Sequence, residues 1–310
     1  MSHEKIPDDL FETAVEALIH GEATTLRLLL DQHPDLIRAR SARPHKAHLL
    51  HYIGANGVED ERQVTPPNAV ELTQILLDAG AEVDAVAELY GGSTTLGLVA
   101  TSIHPLKAGL QKELIDILMD YGAEPDLAVA PDYTDGYLIN ACLANGRGEA
   151  AAYLAAKGAE MNLEAAAGVG DLDRVKSYFR PDGGLKESVH AAQRDAGFIW
   201  ACEYGRVEVV RFLLENGVAP STEAKGMTAL HWAVIGGQTE IISLLLDLKA
   251  PLEIKNEYGG TVLGQAIWSA YNDPKPQYLA IIDTLIAAGA IVNPEWEKYL
   301  SELKSLPSRK

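Results

Sequence analysis

Apolar residues along this chain come in short bursts, each two or three helical turns long and each closed by glycine. The pattern is clearest from Lys225 to Asn256, KGMTALHWAVIGGQTEIISLLLDLKAPLEIKN. Thr228-Ala229-Leu230-His231-Trp232-Ala233 opens one helix, and Gly236-Gly237 stops it. Glu240 to Leu246 predicts a second, with Ile241, Ile242, Leu244, Leu245 and Leu246 as its apolar stripe. A turn at Lys249-Ala250-Pro251 and an extended exit through Leu252-Glu253-Ile254 follow. Helices of about ten residues are too short to persist alone in water. Two of them bury one shared face and leave others apolar, so the pair must stack on copies of itself.

The chain supplies those copies. From the glycine ending helix one to the turn after helix two is 12 residues at Gly146–Gly158, Gly205–Gly217 and Gly237–Lys249. Successive second turns lie 32 residues apart at Gly217–Lys249 and 36 apart at Gly122–Gly158. This register predicts units at residues 10–36, 43–84, 90–126, 132–162, 163–192, 195–221, 223–255 and 257–293, then a closing helix at 294–306. Insertions interrupt the second unit at 58–67, the third at 103–108 and the eighth at 271–277, and segment 180–192 departs from the pattern.

The block from Lys225 resembles an ankyrin repeat. Thr228–Ala233 matches the T-P-L-H-x-A pattern with Ala229 in place of Pro, and Gly80-Ala81-Glu82-Val83-Asp84 is similar to the family's G-A-D-V-N turn. The resemblance covers nearly the whole chain. It implies an all-α fold: an ankyrin-repeat solenoid of about eight helix–turn–helix units with short hairpin loops, forming one domain over residues 1–310. It also implies a binding module that docks a partner protein or peptide on the concave surface of hairpin tips and first helices. By register that surface carries His45, Tyr90, Tyr133, Asp135, Lys225 and Tyr258 on tips. Asn56, Ser102, Asn145, Tyr204 and Trp268 join it from the helices. His51 and His231 occupy the repeat's own histidine place, which in this family bridges backbone or Thr groups between neighbours.

Composition narrows the partner. Lys+Arg number 26 and Asp+Glu 44, giving a net charge of -18. Such a surface repels phosphate backbones and anionic lipid, and leaves room for a basic partner. Hydrophobic residues make up 47% and aromatics only 6%, which suits small interdigitating helices better than a sheet core. Cys142 and Cys202 fall where the pattern wants Ala and read as small buried hydrophobes. The opening MSHEKIPDDL lacks the basic end and apolar core of a signal peptide, and no run reaches a membrane span. The expectation is a cytoplasmic monomer with no cofactor and no nucleic-acid or membrane role.

Other features admit two readings each. Gly92, Gly136, Gly226 and Gly260 precede helix-one starts and are expected to form turns with positive φ. Trp200 and Trp232 share a repeat position, as packed aromatics or as a ligand platform, whereas Trp268 is expected on the inner face. The insertions at 58–67 and 103–108 are expected side by side at one edge. The polar residues of the second and third units could be loop elaboration, a peptide-binding edge, or an acid–base site around His51, Glu59, Arg62 and His104. His45, His48 and His51 step by three, which is no recognised metal spacing.

Overall fold

A computed structural model describes residues 7–127 and 137–305. The chain comprises two compact units, Met1–Glu160 and Met161–Lys310. Each is built from paired helices.

In the first unit the pairs are α1 (Asp8–Ile19) with α2 (Ala23–Gln32), and α3 (Leu49–Tyr52) with α4 (Ala69–Asp78). Then come α5 (Thr95–Thr101), a short α6 (Ile103–Lys107) and α7 (Gln111–Asp120), followed by α8 (Leu138–Ala144) with α9 (Gly148–Ala156). First helices pack on first helices, α1 on α3 on α5 on α8. Second helices do likewise, α2 on α4 on α7 on α9.

The second unit repeats the scheme. Its pairs are α10 (Leu163–Val169) with α11 (Leu172–Ser177), and α12 (Ala191–Glu203) with α13 (Val207–Glu215). A two-residue hairpin follows, β1 (Glu223–Ala224) against β2 (Met227–Thr228), leading into α14 (Ala229–Gly236) and α15 (Thr239–Asp247). Last come α16 (Val262–Asn272), α17 (Tyr278–Ala287) and the closing α18 (Pro294–Ser305). First helices again stack in series, α10 on α12 on α14 on α16 on α18.

Three local devices make the stack. Thr94, Thr228 and Thr261 cap their helices by accepting the backbone N–H three residues on. Leu50, Ile139, Leu230 and Leu263 fill the core between first helices. Two repeat histidines, His51 and His231, sew their first helices to the next hairpin. His51 Nδ1 accepts the His48 N–H at 3.2 Å, and its Nε2–H donates to Ala85 O at 2.9 Å. Thr228 Oγ1–H donates to His231 Nδ1 at 2.7 Å, and His231 Nε2–H reaches Gly260 O at 3.2 Å. Burial pushes His51 down to about 4 and His231 below the ordinary histidine range, so both rings stay neutral and engaged at both nitrogens.

The structure departs from the pattern in places. The 103–108 insertion folds as α6, because Ser102 Oγ accepts the His104 N–H as a cap and Gln111 Nε2 donates to Val99 O, Ala100 O and Ser102 O. Helix α12 begins at Ala191, ahead of the predicted unit start at 195, since no proline interrupts the stretch after His190. Gly92 and Gly226 have positive φ, but at the last hairpin Gly259 takes that role and Gly260 does not; Gly136 lies outside the described residues.

Candidate protein-interaction site

The predicted surface residues separate into three groups. Tyr258 is 79% exposed, Tyr90 62% and Trp268 55%, while Lys225 and Asn145 also face solvent and Asn56 and Tyr204 are half-buried. Tyr90 O–H donates to Asn56 Oδ1, and Asn56 Nδ2 donates to Thr101 Oγ1, which ties two neighbouring helix ends to one hairpin. Two residues are corrected. Ser102 is buried, its hydroxyl donating to Ala55 O at 3.0 Å. His45 is also buried, because the hairpin folds its ring inward instead of presenting it at the tip. Tyr133 and Asp135 lie outside the described residues.

The polar residues of the first unit gather differently from the expectation. In segment 58–67, Arg62 turns back to α1, pairing with Glu12 and, at 2.9 Å, with Glu16. Arg43 joins Glu12 at 3.1 Å and Glu59 at 2.9 Å, and His45 Nε2–H donates to Glu59 Oε1 at 3.0 Å. His45 Nδ1 is occupied as well, by the Ala47 N–H. Burial alone would raise the Glu12 carboxyl, but hydrogen bonds from Arg43 and Arg62 outweigh it and hold the group below the usual carboxylate range. His51 is engaged elsewhere, as described, and His104 sits on α6. The cluster is an internal ion network whose members consume one another. Among the described residues no group of three His, Cys, Asp or Glu is placed to hold a metal ion.

The second unit is arranged otherwise. Trp200 is buried and meets Trp232 edge-on, ring centroids 5.1 Å apart. Its indole N–H donates to Glu164 Oε1 at 2.8 Å. These tryptophans are packed against each other, as the first of their two readings has it. One repeat further, Tyr258, Trp268 and Trp296 frame a pocket of about 650 Å³ with Asn256, Gln265 and Asp273 at its polar side. Asn256 Nδ2 donates to Gln265 Oε1, and Gln265 Nε2 to Ser269 Oγ, so the floor is a fixed chain of amides under an aromatic rim. A concave, mostly apolar site with a few oriented polar groups is the form binding sites take. Trp296 and Asp273 were not foreseen as part of it.

Glu203, at the end of α12, adds a buried acid to this unit. Its Oε2 is sealed from solvent without a hydrogen-bond partner. Burial pushes the carboxyl up to about 8, with the charge of Lys275 pulling partly the other way. Between the ordinary value of 4.5 and about 8 the folded chain therefore holds a proton that the unfolded chain releases. Stability from this group is full below that window and drains as pH rises through it. Glu203→Gln is expected to raise stability at pH 8.5 by roughly 1–3 kcal/mol and to leave it nearly unchanged at low pH. Urea midpoints of both proteins at the two pH values check this; an equal gap at both would refute it.

Both cysteines are free and buried, and burial pushes the Cys142 thiol up to about 12. Among the described residues no helix is long and apolar enough to cross a membrane.

Comparison with known proteins agrees with this architecture. Residues 163–257 and 198–295 match a family model of ankyrin repeats in three copies. The chain is 31% identical over 88 residues to Inversin of Danio rerio, which covers 28% of this chain and 8% of that protein. It is 41% identical over 49 residues to the 26S proteasome non-ATPase regulatory subunit 10 of Mus musculus, covering 16% and 21%. The chain thus spans only those small shares of its curated relatives. The crystal structure of the human ASB11 ankyrin repeat domain aligns over 92% of this chain and 99% of that one, at 21% identity and a TM-score of 0.44. Residues 163–295 are thus ankyrin repeats, and the first unit repeats their devices: a threonine cap at Thr94, a histidine bridge at His51 and a glycine turn at Gly80.

Proposed function

We propose that the chain is a protein-interaction scaffold that holds a partner protein or peptide on the hairpin-and-first-helix face of its second unit. The observation that carries this reading is the pocket framed by Tyr258, Trp268 and Trp296. Two of these large aromatic side chains are mostly in solvent, although burial would stabilise each by a few kcal/mol, about 25 cal/mol per Å² of apolar area. Exposed aromatics around a formed concavity are the usual anchors of a docking surface. Tyr204, half-buried beside Trp200, extends the face toward α12. The setting that fits is the reducing cytoplasm, where Cys142 and Cys202 stay as free thiols, and the chain acts as a monomer without a cofactor.

Co-purification from the native host with the wild-type chain and a Trp268→Ala/Tyr204→Ala variant tests this. Proteins recovered with the wild type and lost with the variant are the expected result, provided both chains give the same circular dichroism. An unchanged set of recovered proteins would remove the surface from consideration.

A further inference from the structure

Resting on the reading of this face as an interaction surface, we propose that the pocket between Tyr258, Trp268 and Trp296 receives a cationic side chain, Lys or Arg, from the partner. Four observations converge on it. The rim is aromatic and open: Tyr258 is 79% exposed and Trp268 55%. Aromatic faces carry negative potential and attract ammonium and guanidinium groups, most strongly for Trp. The polar side supplies an acid, because Asp273 lines the same pocket with its carboxylate in solvent. The whole chain carries a net charge of -18, which draws cations toward such a pocket.

The fourth observation comes from the protein's own lysines. Beside the Trp200–Trp232 pair, Lys225 Nζ lies 3.6 Å from Glu164 Oε1, the carboxylate that also takes the Trp200 indole N–H. At the pocket edge, Lys275 Nζ lies 3.4 Å from Asp273 Oδ2 and 5.8 Å from the centre of the Tyr278 ring. At this edge the chain itself seats an ammonium between a carboxylate and an aromatic ring. Among the described residues, no lysine or arginine is seated over the rings of Tyr258 or Trp268. Those two exposed rings are left for a cation from the partner. The Asp273–Lys275 pair is solvent-exposed and therefore weak, so an incoming guanidinium can take the carboxylate from it.

The test uses the full chain and three fluorescein-labelled nonapeptides of alternating Gly–Arg, Gly–Gln and Gly–Glu. Anisotropy titrations near physiological salt are expected to show the Arg peptide binding at least ten-fold more tightly than the Gln peptide, and the Glu peptide not at all. Trp268→Ala, which leaves net charge unchanged, should lose about ten-fold for the Arg peptide, Trp268→Phe should keep most of it, and Asp273→Asn should lose several-fold. Equal binding by wild type and Trp268→Ala would reduce the attraction to diffuse charge and overturn the proposal, as would equal binding of the Arg and Gln peptides. If the Arg peptide fails while the Trp268→Ala/Tyr204→Ala variant still strips co-purifying proteins, the interaction surface stands and only the cation assignment falls. If both fail, the surface itself falls.

Discussion

Trp200→Ala is expected to destabilise the second unit by about 3–5 kcal/mol, in the range of buried large-to-small aromatic truncations. Trp200 is 2% exposed and sits between first helices, with Trp232 edge-on at 5.1 Å. Two losses combine. The indole volume leaves a cavity that α10 and α14, packed on either side of α12, can close only in part. The Glu164 carboxylate, 6% exposed, loses its 2.8 Å donor and is left with Lys225 at 3.6 Å. Trp200→Phe separates these losses: it restores most of the volume and none of the hydrogen bond, and should cost about 1–3 kcal/mol. Urea denaturation followed by far-UV circular dichroism gives both numbers, with Trp268→Ala as the reference. Trp268 projects from the same layer of helices but is 55% exposed, so its truncation should stay within about 0.5 kcal/mol. A Trp200→Ala cost below about 1 kcal/mol would mean that the indole is not a core group.

What the sequence made legible follows from what repeats. Thr228, Leu230 and His231 announce a cap, a core residue and a bridge because each role is local to one repeat and its neighbour, and the structure places all three so. Side chains whose partners come from unrepeated segments escape that logic. His45 reads as a hairpin tip, yet Glu59, which holds it inward, belongs to an insertion with no register of its own. Ser102 reads as the exposed end of a helix, but the next residues form α6, and capping it while bonding Ala55 O takes the side chain out of solvent. The pocket was half legible. Trp268 and Tyr258 come from repeat positions, whereas Asp273 comes from the last insertion and Trp296 from the closing helix. A signal for Trp296 existed: Trp296, Leu300 and Leu303 recur at helical spacing and make an apolar stripe in α18. That stripe needs a partner, and α16 is the helix it packs on.

Gly236→Ala sets helix propensity against packing at one atom. Gly236 is the last residue of α14, and alanine is preferred to glycine within helices by about 1 kcal/mol, so local preference alone predicts a more stable protein. The neighbouring first helix reverses the sign. A Cβ on Gly236 would lie 1.9 Å from Glu203 O and 2.8 Å from its carbonyl carbon. Both are backbone atoms of α12, so no side-chain rotation relieves the overlap; α12 and α14 must separate at their C-terminal ends. The same place holds Gln238 Nε2, which donates to Glu203 O at 2.9 Å and to Gly236 O at 3.1 Å, and separation would strain both bonds. Overpacking of this kind costs typically 1–3 kcal/mol even where side chains can yield, and here none can, so a net loss of about 3 kcal/mol or more is expected. Gly260→Ala is the matched comparison. Its Cβ would meet only the Asn256 side chain, nearest at Oδ1 at an ordinary 3.4 Å, and the cost should stay within about 1 kcal/mol. Urea midpoints for the two variants decide the matter: a Gly236→Ala chain as stable as the wild type would show that the first helices of these neighbouring repeats do not approach to backbone contact.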